Sequence, residues 1–272
     1  MDRRQFLVTL GAASTLTLAA CASPEPLPRP PVTGPTTDAA PDPRPLPDRL
    51  PAPTPVARPA PQIPKVVPAV GEPVFELPIQ GDYMAWTVDD GGDPETIRRY
   101  AEMAHESGTR LTFFPNGVYD GWEQNADLLR PLVSSGQVVI GNHTWSHASL
   151  TSLSDQGIVD ELTRNDDYLG GLFGMSTKPF YRPPFGYRDS RTDAVAAEIG
   201  FTVPVMWYGS LSDSGLITEA QVTDFATQWF LAGHIVIGHA NYPSVCNVFP
   251  QLLQLLSDRG LQTVTMRDVY EV

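Results

Sequence analysis

Residues 83–117 read YMAWTVDDGGDPETIRRYAEMAHESGTRLTFFPNG, and this stretch sets the fold class. Its first apolar run, 84–88, has the composition and length of a buried strand. Asp93-Pro94 then pairs a capping residue with a proline at the first helical position, a helix is predicted over 94–107, and Gly108 stands where a left-handed cap ends one. A second apolar run follows at 111–114. Strand, helix and strand in this order make a βαβ unit, whose crossover helix returns the chain to the same end of the sheet, so the two strands run parallel.

The alternation continues downstream. Further strands are predicted at 138–141, 180–182, 202–207, 235–239 and 263–265, with helices at 125–135, 154–173, 190–199, 218–231 and 249–258; Gly136, Gly200 and Gly233 follow helix ends. Seven strands alternating with helices imply an α/β fold around a parallel sheet, either open or closed into an incomplete barrel. In both, chemistry sits at the C-terminal ends of the strands. Asp89 and Asp90 fall at the end of the first strand, Asn142 and His143 after the third, Arg182 at the end of the fourth and His239 at the end of the sixth. Four strand ends therefore deliver acid, base and ligand types to one face.

Upstream the composition changes. Of 28 prolines in 272 residues, 18 lie between Pro24 and Pro73. Proline removes a backbone donor and fixes φ, so 21–73 reads as an extended, polyproline-like disordered tether. Residues 1–20 carry Arg3 and Arg4 before an apolar, small-residue run, the plan of an export signal and too short for a comfortable membrane span. Leu18-Ala19-Ala20-Cys21 is similar to a bacterial lipobox, which implies lipidation of Cys21 and attachment to a lipid bilayer; Arg3-Arg4-Gln5-Phe6-Leu7 resembles a twin-arginine signal. An ordinary secretory signal is the alternative. Residues 74–272 make up the folded domain, lipid-anchored at the outer face of the cell membrane or in the envelope. That domain holds 11 Lys or Arg against 25 Asp or Glu, a net charge of −14 that excludes a nucleic-acid binder. Cys21 and Cys246 alone supply no disulfide framework, and Cys246 reads as an inert thiol.

His143-Thr-Trp-Ser-His147 places two imidazoles four residues apart, on one face if the segment turns as a helix. A carboxylate from another strand end would complete a two-histidine, one-carboxylate metal site, with Asp90 as candidate. Strand alternation points Asp89 elsewhere and leaves it free as a base. The bland alternatives are a surface histidine pair and a plain Asp-Asp-Gly-Gly turn. His105 reads as a helix-end cation and His234 as an exposed residue at the N-terminal end of its strand.

These motifs resemble the polysaccharide deacetylases of the NodB-homology type, carbohydrate esterase family four, over residues 83–272. Thr87-Val-Asp-Asp-Gly91 is similar to the family's TFDDG, His143-Thr-Trp-Ser-His147 to its HTxxH, Arg182-Pro-Pro-Phe-Gly186 to its RxPxG and Ile237-Gly-His239 to its LxH; Leu111-Thr-Phe-Phe114 is similar to its TFF strand. The resemblance implies a distorted (β/α) barrel of about seven parallel strands and metal-dependent removal of acetyl groups from N-acetylated envelope polysaccharide, peptidoglycan or a chitin-like glycan. Asp90, His143 and His147 would hold one divalent metal, zinc first, with cobalt, nickel or manganese possible. Asp89 would be the base, Arg182 its partner, the Phe185 backbone N–H an oxyanion donor, His239 the acid, and Ile237 part of the acetyl-methyl pocket. Gly92 stands where the family has proline. Around 207–214 the pattern departs further: Asp213 falls on one expected carboxylate, but Ser210 replaces the other and Ser214 a tryptophan, so a more open groove is expected, with Trp207 or Trp145 as a substitute aromatic wall or as core. An O-acetyl esterase or another carbon–nitrogen hydrolase on the same scaffold, and a non-catalytic wall-binding lipoprotein, are the competing functions.

Overall fold

A computed structural model of the chain describes residues 60–272; the segment expected to be an export signal, Cys21 and most of the proline-rich stretch lie outside the described residues. The strands are β1 (Tyr83–Asp90), β2 (Leu111–Pro115), β3 (Val138–Ile140), β4 (Phe180–Tyr181), β5 (Val203–Pro204), β6 (Gly209–Ser210), β7 (Ile235–His239) and β8 (Gln262–Thr263). The helices are α1 (Pro94–Ser107), α2 (Gly121–Gln124), α3 (Ala126–Ser134), α4 (Asp155–Phe173), α5 (Ser190–Glu198), α6 (Glu219–Trp229), α7 (Ser244–Asn247), α8 (Phe249–Asp258) and α9 (Met266–Val269). Every strand pair is parallel. The main sheet runs β3-β2-β1-β7-β6, with β8 beside the start of β1, and β4 and β5 form a second pair.

A single bridge, Asn142 to Tyr181, joins β3 to β4, and Val74 bridges Val205 just beyond β5. The sheet therefore curls into a barrel that is hydrogen-bonded along one side and only stitched along the other. This is the α/β fold of parallel strands expected for a distorted barrel. The sequence reading missed β6, because Gly209-Ser210 has no apolar run, and the four-residue helices α2, α7 and α9, which are too short for a periodic signal.

The start of α1 shows why local sequence suffices here. Asp93 Oδ2 accepts from Thr96 N at 3.1 Å, Pro94 occupies the first turn, and Gly108, at φ 74, sends its N–H to Ala104 O at 3.0 Å. Ile97, Tyr100, Ala101 and Ala104 form the helix's buried stripe. Along β1 the period of two divides the core. Met84, Trp86 and Val88 meet α1, α3, α6 and α8 in one apolar layer, where Trp86 lies 5.0 Å from Phe230 between ring centroids and Tyr100 4.8 Å from Phe249. Ala85 points the other way, into a barrel floor of Phe114, Val139, Val203, Val205 and Val264. Thr87 and Asp89 follow Ala85 on that inner face, rising from floor to rim.

The folded region starts before Val74, which revises the boundary expected at 73/74. Ile63 packs on the barrel floor, Val66 N donates to Val269 O at 2.9 Å, Gly71 N to Thr202 O at 2.8 Å and Leu77 N to Gly233 O at 2.7 Å. Prolines 61, 64, 68 and 73 forfeit their own donors, yet the residues between them keep N–H groups that bond to the barrel.

At the floor, Arg110 Nε and Nη2 reach Asp268 Oδ2 and Oδ1 at 2.6 and 2.7 Å, and both side chains are buried. Asp268→Ala leaves the guanidinium buried and half-paired, so it is expected to lower stability by about 3–5 kcal/mol. Thermal melting checks this, and an unchanged midpoint would refute it.

Candidate active site

At the rim, the inward side chains of four strand ends converge on a cavity of about 480 Å³. Its lining includes Asp89 and Asp90 from β1, His143 and His147 from the β3–α4 connection, Phe185 after β4, Trp207 before β6, and Ile237 and His239 from β7. Ile237 is almost fully buried and Trp207 half-exposed, and the aromatic wall on this side is Trp207 rather than Trp145, which packs under the Arg164 guanidinium at 3.9 Å.

Asp89 and Asp90 do not separate by strand alternation. Asp90 has φ 71, a left-handed conformation that turns its side chain back toward the barrel axis, so both carboxylates face one imidazole. His143 Nε2 lies 3.5 Å from Asp89 Oδ2 and 3.4 Å from Asp90 Oδ1, and His147 Nε2 lies 3.5 Å from Asp90 Oδ1. Gly91 makes this turn possible: at φ +111 a Cβ there would stand 2.2 Å from Trp122 Nε1, the group that donates to Asp90 O at 2.9 Å. His143 to His147 is likewise not a helical turn. The segment is a loop with Thr144 at φ 68 and His147 at φ 60, and these bends bring the two rings to 4.9 Å between centroids. Buried amides hold that loop. Asn116 Nδ2 donates to His143 O and, at 3.1 Å, to Thr144 O, while Asn142 Oδ1 accepts from Thr144 N and Asn165 Nδ2, each at 2.9 Å.

Asp90, His143 and His147 offer ligand atoms that all lie within 4.8 Å of one another. Two observations show that the donors suit a metal. His143 Nδ1 is taken by Arg182 O at 2.7 Å, which leaves Nε2 free to ligate, and Asp90 Oδ1 is buried with no hydrogen-bond partner. Electrostatics agree. Burial works against the Asp90 charge, but the nearby histidines, His143 foremost, hold its carboxyl well below the usual range. His143 is raised despite its burial, by Asp89 and then Asp90, whereas burial and the neighbouring His143 lower His147. Asn241, which sequence reasoning missed, fixes the remaining oxygen: its Nδ2 donates to Asp90 Oδ2 at 2.7 Å and its Oδ1 accepts from Gly92 N at 3.0 Å. Its signal was only its place, two residues past His239 at the same strand end. Gly92 contributes an N–H that proline could not supply.

On the other side of the cavity, fully buried Arg182 directs Nη1 to Asp89 Oδ1 at 2.6 Å and Thr87 Oγ1 at 2.9 Å. Its Nε and Nη2 reach Val205 O and Met206 O at 2.9 and 3.1 Å, so every face of the cation is met. Phe185 sits at φ 61, 59% exposed, with its ring 4.5 Å from that of His147. Across from it, His239 Nδ1 meets Asp213 Oδ1 at 3.0 Å. Burial opposes protonation of His239, yet Asp213 raises its pKa above the ordinary value. Ser210 and Ser214 line the wall beside this pair. Non-glycine residues with positive φ are Asp90, Thr144, His147, Phe185 and Ser212 among the described residues; such strain collects where geometry serves function. The remaining candidates stay outside: His105 is in the last turn of α1, His234 stacks on Tyr208 at 4.5 Å instead of lying free, and burial pushes the Cys246 thiol up to about 12.

The sequence profile of the polysaccharide deacetylase family matches residues 78–204, a span that holds the metal-ligand set and Arg182 but ends before Asp213 and His239. Chitin deacetylase 1 of Cryptococcus neoformans var. grubii is 29% identical over 187 residues, 67% of this chain and 36% of that one. The peptidoglycan-N-acetylglucosamine deacetylase of Bacillus cereus is 23% identical, over 72% of this chain and 71% of its own length. The chain thus spans about a third of the first relative. Among solved structures, a family-four carbohydrate esterase pseudoenzyme from Bacillus anthracis superposes with a TM-score of 0.65 at 17% identity, covering 74% of this chain and 69% of that one. A pseudoenzyme shares the fold, so fold alone says nothing about turnover, and any argument for it has to rest on side chains.

Proposed function

Since residues 78–204 match the polysaccharide deacetylase family, we propose that this chain is a metal-dependent hydrolase that removes acetyl groups from N-acetylated cell-wall polysaccharide. One observation carries the proposal: Asp89, the candidate ligands Asp90, His143 and His147, and His239 line a single cavity. Asp90, His143 and His147 would hold the metal, zinc first, with cobalt, nickel and manganese also suited to this nitrogen and oxygen set. When bound there, the metal supplies Lewis acidity, polarising the acetyl carbonyl and easing deprotonation of water.

The chain's own residues do the rest. Asp89 takes the proton from the attacking water, aimed by the hydrogen bond it accepts from Arg182. The water oxygen bonds to the acetyl carbon, and the Phe185 N–H donates to the resulting oxyanion, a donor worth about 3 kcal/mol in such sites. Collapse breaks the carbon–nitrogen bond. The departing nitrogen is too basic to leave as an anion, and His239, held protonated by Asp213, supplies its proton. Ile237 and Trp207 wall the acetyl methyl group and the sugar. On the N-terminal side, Leu18-Ala19-Ala20-Cys21 supports export with lipid attachment at Cys21, which would keep the enzyme beside its polymer.

The test is acetate release from N-acetylglucosamine oligomers, peptidoglycan and acetylated xylan by the full-length, zinc-loaded protein. Release from the first two that stops with chelator and returns with zinc is the expected result. Release from xylan alone would move the chemistry to esters, and none from any polymer by folded, metal-loaded protein would end the proposal.

A further inference from the structure

Only one oxygen of Asp213 is accounted for by His239. Its Oδ2, on a residue 2% exposed, is buried without a hydrogen-bond partner. A second orphan is Tyr100 Oη, at the core face of α1 and fully buried. Native interiors rarely leave a hydroxyl and a carboxylate oxygen both unpaired, and here one is a donor and the other an acceptor. Both atoms lie beside Gly238. A Cβ added to Gly238 would stand 3.2 Å from Tyr100 Oη and 3.5 Å from Asp213 Oδ2.

The sheet register explains that placement. Gly238 pairs with Val88 and His239 with Asp89, so His239 faces the barrel interior while position 238 faces the helical layer. A Cβ at 238 would crowd phenol and carboxylate alike, together with Leu211 Cδ1 at 3.1 Å. Glycine leaves open the space between a residue of the outer helix and a carboxylate that serves the inner face. Burial, and after it the charge of Asp213, push the Tyr100 phenol well above its ordinary range, so it stays protonated and able to donate. The Trp86 indole, edge-on to the Tyr100 ring at 5.9 Å between centroids and itself without a partner, faces the phenol from the neighbouring strand.

We propose that Tyr100 is a positioning residue for the proton donor: its hydroxyl donates to Asp213 Oδ2 across Gly238, fixing the carboxylate whose other oxygen orients His239. The inference rests on the reading of His239 as the acid. Tyr100 touches neither substrate nor metal ligands. Its effect falls on kcat, because it acts on the step that expels the amine, and leaves KM and metal content alone.

Tyr100→Phe keeps the ring and removes the donor. In the full-length zinc-loaded protein it is expected to lower kcat on N-acetylglucosamine oligomers about tenfold, the scale of one hydrogen bond to a charged group. The decisive measurement is the same substitution in an Asp213→Ala background, where the acceptor is gone and the further loss should be less than about twofold. A purely structural role would cost the same in both backgrounds and would overturn the proposal, as would no loss in either. If Tyr100→Phe melts early, Gly238→Ala carries the test, since its methyl group enters the gap and should reproduce the kcat loss only when Asp213 is present. His239→Ala keeps two failures apart. If it retains amide hydrolysis, the acid assignment falls and the positioning role with it; if it abolishes hydrolysis while Tyr100→Phe does not slow it, the positioning role alone falls.

Discussion

Asp89→Asn is expected to lower kcat on N-acetylglucosamine oligomers by about a thousandfold, within the range that a positioned general base supplies, with bound metal at the parent level. Asparagine has the shape of aspartate, so the cavity keeps its form, but its amide cannot take a proton from water. Arg182 loses its ionic partner at 2.6 Å yet keeps Thr87 Oγ1, Val205 O and Met206 O as acceptors. The variant should therefore fold, and melting verifies that it does. The ligand atoms belong to Asp90, His143 and His147, none of which the substitution changes. Elemental analysis beside acetate release separates the two functions. His147→Ala, by contrast, is expected to lose metal and turnover together. An Asp89→Asn protein as active as its parent, or one that had shed its metal, would remove Asp89 from the mechanism.

How far the sequence reached follows from the length over which each signal is written. The helix 94–107 was legible to the residue because cap, proline, apolar stripe and terminal glycine all lie within or beside it, and 249–258 was legible from its first-turn proline and apolar stripe. β6 was not, since two residues without apolar character make a strand only through their neighbours on β7. The same division holds in the site. Asp89, Asp90, His143, His147, Arg182 and His239 were readable as chemical types at strand ends, while their arrangement was not. Alternation pointed Asp89 away from Asp90 and the histidines, and a helical turn would have carried His143 to His147; the left-handed φ at Asp90, Thr144 and His147 overrules both. Such conformations in non-glycine residues have no local sequence signature, because tertiary contacts such as Trp122 on Asp90 O and Asn116 on the His143 loop impose them. Asn241 was missed for a related reason: its role depends on Asp90 and Gly92, 151 and 149 positions away.

The acid side yields the other large effect. His239→Ala removes the proton that the leaving nitrogen needs and is expected to lower kcat by a factor of about 100–10,000 on amide substrates. Asp213→Asn tests the same assignment through pH. Asp213 is the first of the groups that raise His239, and burial, the largest influence, works the other way. A group with a raised pKa is protonated below it and loses its proton as pH climbs through it, so the rate should fall on the alkaline side, with a limb above the ordinary histidine value of about 6.5. Replacing Asp213 by a neutral residue withdraws the leading support for the imidazolium. The limb must then move to lower pH, and the enzyme must lose rate first at the alkaline end. A limb that did not move, or moved upward, would mean that His239 does not act as the protonated partner, and the leaving nitrogen would have to take its proton from elsewhere in the cavity.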